Sequence, residues 1–153
     1  EIIKGKSDCW YNIHYPLHNA TIHLTYKTLN ANLGNVIEES HKLAYEHAVR
    51  SDGIIEKGYS NDENRVYGVL YDIHGNSASN LQFFVTDSTN HFLRGSLYFN
   101  TIPNSDSLQP IKQHIKEDLP KPASEDTGLN ILNAVNKLSN KVVLIGKACS
   151  LMY

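Results

Sequence analysis

A chain of 153 residues, 41% of them hydrophobic, is long enough for one ordinary core and argues for one domain rather than two. The formal charge of −2 and the pI near 6.5 argue against a nucleic-acid partner, because Lys and Arg are scattered and form no basic stripe, arm or polybasic membrane patch. The longest apolar run, Val142 to Ile145, is strand-sized and far short of the ~18 residues of a spanning helix, and Glu1-Ile2-Ile3-Lys4 lacks the basic and apolar regions of a signal peptide.

Taken in order, Cys9 to Tyr15 alternates loosely and ends at Pro16, followed by the polar stretch Leu17-His18-Asn19. Thr21 to Tyr26 alternates cleanly, with Ile22, Leu24 and Tyr26 on one face and Thr21, His23 and Thr25 on the other. That period of two is the pattern of a half-buried strand. The two segments predict a hairpin, placed at a sheet edge because Pro16 cannot donate to a ladder.

Asn32 to Arg50 is the clearest helix. Val36, Ile37, Leu43, Ala44, His47 and Ala48 share one face with Ser40, while Glu38, Glu39, Lys42 and Glu46 face out. Glu38–Lys42 and Glu46–Arg50 have the favourable acid-before-base order, and Asp52-Gly53 is the stop.

Four strands follow, Ile54 to Ser60, Arg65 to Ile73, Ser77 to Thr86 and His91 to Asn100, separated by the polar turns 61–64, 74–76 and 87–90. Such short connections predict an antiparallel meander, because a parallel return needs about a dozen residues. Leu81, Phe83 and Val85 oppose Gln82, Phe84 and Thr86. In the last strand Leu93, Leu97 and Phe99 oppose Phe92, Arg94, Ser96 and Tyr98. Apolar residues on both faces predict a sheet covered at least partly on each side.

A second helix is expected over 107–119, capped by Ser105 or Asp106, with Leu108, Ile111, Ile115 and Leu119 as its buried stripe. Pro120 to Asp126 reads as an exposed linker. Beyond it, 128–138 has helical spacing and 141–146 a buried-strand pattern, in a tail too small for a core of its own. The organisation is thus an α+β domain over 1–119 with a linker and atypical tail over 120–153. The domain is a mostly antiparallel central sheet of about six strands with helices packed on it. The element order is compatible with the PsbP/Mog1-like arrangement, an analogy of fold that says nothing about function.

Chemistry-bearing residues are few. His14, His18 and His23 lie near Cys9 and could offer imidazole and thiolate to zinc, so the alternative function is a metal-binding or hydrolytic enzyme using this histidine-rich hairpin. Their spacing fits no recognised closed site, and no metal or cofactor is predicted. His41, Glu46 and His47 fail as a zincin helix, since the two histidines lie about 240° apart at 3.6 residues per turn. Nucleophile-elbow, Walker and dinucleotide fingerprints do not occur, so no catalytic residue is assigned. Asp72 with His74, and Asp87 with His91, could pair locally beside turns. Arg94, inside a strand, must reach water or an acceptor. It reads as an interaction anchor or a structural ion pair, with Asp87 or Asp72 as partner. Trp10 and the nine tyrosines could enrich a binding surface. Cys9 and Cys149 are either one disulfide or two separate buried thiols.

Four stretches in this order carry a family likeness: Asp8-Cys9-Trp10-Tyr11-Asn12-Ile13, Ala20 to Lys27, Val66-Tyr67-Gly68-Val69-Leu70-Tyr71-Asp72-Ile73, and Thr86 to Asn100, with Glu39 to Arg50 between the second and third. Together they resemble the gliding-motility lipoprotein GldD family over about residues 1–119. The resemblance implies a lipid-anchored, periplasm-facing protein of the Bacteroidetes cell envelope, needed for gliding and associated with type IX secretion. It implies protein–protein contacts with other gliding and secretion components, and no catalytic residues. Such proteins carry a lipobox cysteine at their start. Cys9 does not fit that role, so the anchor is expected upstream of residue 1. Residues 120–153 match nothing in the family.

Overall fold

The computed structural model describes residues 2–4, 9–49, 51–75, 77–100 and 110–114. Its frame is a seven-stranded sheet, every neighbouring pair antiparallel. In chain order the strands are β1 (Ile2–Lys4), β2 (Trp10–Tyr15), β3 (Ala20–Thr28), β4 (Gly53–Asn61), β5 (Val66–His74), β6 (Leu81–Thr86) and β7 (His91–Phe99), and one helix, α1 (Leu33–Ala48), lies between β3 and β4. Across the sheet the order is β1-β2-β3-β7-β6-β5-β4.

The expected meander forms, and β7 then pairs with β3 over nine residues, from Ala20↔Phe99 to Thr28↔His91. Backbone bonds Asn100 N–H to Asn19 O (2.9 Å) and Leu29 N–H to Asn90 O (2.8 Å) close the two ends of that pair. The hairpin is therefore interior, not an edge. Pro16 sits in a 3-10 turn, Pro16–His18, between the strands, so its missing N–H disturbs no ladder bond, and β1 covers the far side of β2. β1 itself was not expected: three residues are too few to show a period.

The strand expected from Ser77 starts instead at Leu81. Residues before it form a buried polar loop. Ser77 Oγ donates to His47 O (3.1 Å), and Asn80 Nδ2 donates to Gly75 O (2.9 Å). Side chains that bond nearby backbone compete with the ladder, and here they win.

Because side chains alternate across a strand, the sheet has two distinct faces. One packs under α1, where Val36 and Ala44 meet Leu29, Tyr71, Phe84 and Phe92; the rings of Phe84 and Phe92 stack with centroids 5.2 Å apart. The expected helix stripe is correct, with Val36, Ser40 and Ala44 buried. Glu38 and Lys42 form no ion pair; Glu39 instead reaches across to Lys27 of β3 at 2.6 Å. Arg50 lies outside the described residues.

The opposite face holds the larger cluster, including Ile22, Leu24, Leu81, Phe83, Leu93 and Leu97, and Ile111 packs against it. Residues 110–114 are helical, inside the second helix expected over 107–119. Leu108, Ile115, Leu119, the linker, the whole tail and Cys149 fall outside the described residues. Two glycines shape this face. Phe83 lies across Gly95 of β7, and Tyr59 crosses Gly68 of β5 to donate its hydroxyl to Phe84 O at 3.0 Å. Burial holds the Tyr59 phenol far above its ordinary pKa, so it stays a donor.

The β6–β7 turn is organised by Asp87, whose Oδ1 accepts from the backbone N–H of Thr89 (3.0 Å), Asn90 (2.8 Å) and His91 (2.8 Å). Partial burial acts to raise its pKa, but these three donors outweigh it and the net shift is downward. A carboxylate with a depressed folded pKa stabilises the fold above its unfolded value and loses that contribution as pH falls through the folded value. Asp87→Ala is expected to cost about 1 kcal/mol, the net worth of a hydrogen bond in an exposed turn. In urea titrations at stepped pH the gap from wild type should close on acidification below about pH 4; a gap independent of pH would contradict the assignment.

Candidate functional site

On the α1 face, the apolar patch under the helix gives way to polar residues on β2 and β3: Asn12, His14, Thr21, His23 and Thr25. At that boundary lies a cavity of about 350 Å³. Arg94 and Phe92 of β7, Thr25 and Lys27 of β3, and Trp10 at the start of β2 line it from the sheet. Glu39, Ser40 and Leu43 close it from α1. Trp10 is 53% exposed, so its indole remains available for contact.

Arg94 is half-buried, and its Nη2 donates to Gln82 Oε1 at 2.5 Å. Among the described residues that is its one hydrogen bond, and it forms no ion pair. Burial pulls its pKa down while Tyr98, Glu39 and Tyr71 pull it back; a guanidinium remains a cation regardless. Gln82 is itself buried, aligned on the same face through the β6–β7 register. Nearby, His47 Nδ1 donates to Leu43 O at 2.8 Å, because a carbonyl can only accept. That leaves Nε2 to accept from the Tyr98 hydroxyl at 3.2 Å, so His47 acts as a strut between α1 and β7. Tyr71 is pushed up to about 12, by burial first and then by Glu56 and Tyr45, and is a neutral phenol at ordinary pH.

The structure therefore brings Trp10 and Arg94 together and leaves Asp72 and Asp87 elsewhere. Neither aspartate partners Arg94, contrary to expectation. Asp72 points to the opposite face of the sheet, where Lys112 Nζ lies 2.8 Å from its Oδ1, with both side chains buried. Asp87 is occupied by its turn. His74 Nε2 is 3.7 Å from Asp72 Oδ2, whereas His91 meets Asp87 through its backbone and Tyr26 through its ring at 2.6 Å. Lys27, Glu39 and Gln82 were not singled out from the sequence; the one legible signal was an amide inside the apolar run Leu81-Gln82-Phe83-Phe84-Val85.

The histidine-rich hairpin does not converge. His14 Nδ1 contacts Thr21 Oγ1 at 3.0 Å and His23 Nδ1 contacts Asn12 Oδ1 at 2.7 Å, both on the α1 face, and His18 packs on His114. Cys9, a free thiol, packs with the cluster on the other face. Among the described residues no three His, Cys, Asp or Glu side chains are grouped to hold a metal ion. No helix among them is long and apolar enough to cross a membrane.

Fold and site together define an α+β domain, one antiparallel sheet packed on both faces, with a cationic cavity beside its helix. The family model described as gliding motility lipoprotein GldD matches residues 1–121, and the chain belongs to that family. Neither the search of curated proteins nor that of solved structures found a match, so the PsbP/Mog1 comparison rests on element order alone. Membership gives the chain a role in gliding motility and places it among membrane-anchored lipoproteins.

Proposed function

We propose that this domain is a non-enzymatic, periplasm-facing part of the gliding machinery and its associated type IX secretion apparatus, acting through contacts with other envelope proteins. The observation that carries this reading is the cavity at Arg94. It offers a guanidinium and an exposed indole, groups that recognise a partner, and Arg and Trp are the residue types enriched where binding energy concentrates. Cys9 has a structural place in this domain. The residue is half-buried, and its backbone carbonyl accepts from Tyr26 N–H at 2.9 Å.

Cross-linking followed by pull-down from envelope extracts, with the anchored protein as bait, is expected to recover motility or secretion components. Recovery of none would count against the proposal, and so would measurable turnover by the purified protein.

A further inference from the structure

A half-buried cation with one neutral hydrogen-bond partner is costly to keep unless something pairs with it. Arg94 is in that position among the described residues: Gln82 Oε1 accepts from one of its nitrogens, and most of its five N–H donors find no partner among them. The carboxylate that lines the same cavity, Glu39, is already engaged by Lys27 at 2.6 Å. Arg94 and Lys27 against Glu39 leave one net positive charge on the cavity wall, which suits one carboxylate better than a dianion. A volume of about 350 Å³ is at the small end for ligand pockets and admits a side chain or two, not a folded surface. Leu43, Phe92 and Trp10 supply apolar wall beside the charge.

We propose that this cavity receives a carboxylate side chain of a partner protein, carried next to an apolar residue that packs on Trp10 and Leu43. This rests on the protein-contact function proposed above and names the chemistry the partner presents. The guanidinium fork matches a carboxylate with two parallel N–H···O bonds, and Gln82 holds the fork in place from behind.

The test follows the Arg94 Nε–H and Trp10 Nε1–H resonances of the full chain by NMR during titration with three probes: Ac-Leu-Glu-NH2, its neutral twin Ac-Leu-Gln-NH2, and propionate. The Glu peptide is expected to shift both resonances saturably and to bind about tenfold more tightly than either other probe, the loss of one charge-assisted pair or of the apolar contact. Read on Trp10 Nε1–H, Arg94→Gln should abolish the response; Arg94→Lys, which keeps the charge and loses the fork, should weaken it severalfold with the fold intact. Equal binding of the Glu and Gln peptides, or shifts clustered away from both reporters, would overturn the proposal. Propionate binding as tightly as the Glu peptide would also overturn it and make this a site for a free carboxylic acid. A pull-down partner captured equally by wild type and Arg94→Gln sinks the cavity assignment alone. No partner captured by either sinks the protein-contact reading instead, and the titration still decides the cavity.

Discussion

Asp72→Ala is expected to lower the unfolding free energy by about 3–5 kcal/mol, the cost of leaving one member of a buried ion pair without its partner. Lys112 is 2% exposed and Asp72 6% exposed, so water cannot substitute for the lost carboxylate without opening the packing. The Lys112 ammonium would keep a bond to Ile73 O at 3.2 Å, which stabilises one donor and leaves the charge unmatched. Replacing both residues, Asp72→Leu with Lys112→Met, is expected to recover most of the loss, since apolar groups of similar volume need no compensation there. Urea denaturation of wild type, Asp72→Leu, Lys112→Met and the double variant forms the cycle, with Asp72→Ala measured beside it. A single-variant loss below about 1 kcal/mol, the range of an exposed pair, would show that the pair is solvated.

Gly68→Ala is expected to cost about 3 kcal/mol, the upper end for forcing extra volume into a packed site. A Cβ at this position would overlap the Tyr59 hydroxyl and also the Phe84 carbonyl oxygen, which belongs to the backbone of β6 and cannot swing aside. Displacing Tyr59 would in addition break its 3.0 Å bond to that carbonyl. Gly95→Ala meets first the ring of Phe83, a side chain rather than backbone, and should cost less, about 1–2 kcal/mol. Tyr59→Phe alone should cost about 1 kcal/mol and should not rescue Gly68→Ala, because the backbone overlap remains. Thermal and urea unfolding of the four variants checks the ordering, and a Gly95 variant worse than the Gly68 variant would reverse the account.

Much of this framework was legible before any coordinates. The alternation of Ile22, Leu24 and Tyr26 against Thr21, His23 and Thr25 assigned each residue to the face it occupies. So did the opposition of Leu93 and Leu97 to Phe92 and Arg94. The stripe Val36, Ser40, Ala44 correctly named the buried side of the helix. Failures arose where local pattern is silent or misleading. Ser77, Ser79 and Asn80 sit before an apolar strand and read as its start, yet the Ser77 hydroxyl bonds the Ser79 backbone and the Asn80 amide bonds Ile73 O, and these bonds hold a loop. Lys112 lies outside the apolar stripe expected for the second helix, and nothing in its own segment announces Asp72 as its partner.

The candidate site shows the same division. That Arg94 shares a face with Phe92 and Tyr98 follows from a period of two, which is a property of each strand alone. That Arg94 stands opposite Thr25, with Trp10 one strand further on, follows only from β3 pairing with β7. This pairing is chosen by the whole sheet, which must bury an apolar surface on both faces at once, and no segment of the sequence encodes it separately. The sequence by itself therefore determined which residues face which way and that the chain resembles a gliding-motility family. Only the tertiary structure decided that Trp10, Lys27 and Arg94 meet at one cavity, that Asp72 and Asp87 do not, and that among the described residues the Arg94 guanidinium keeps donors to spare.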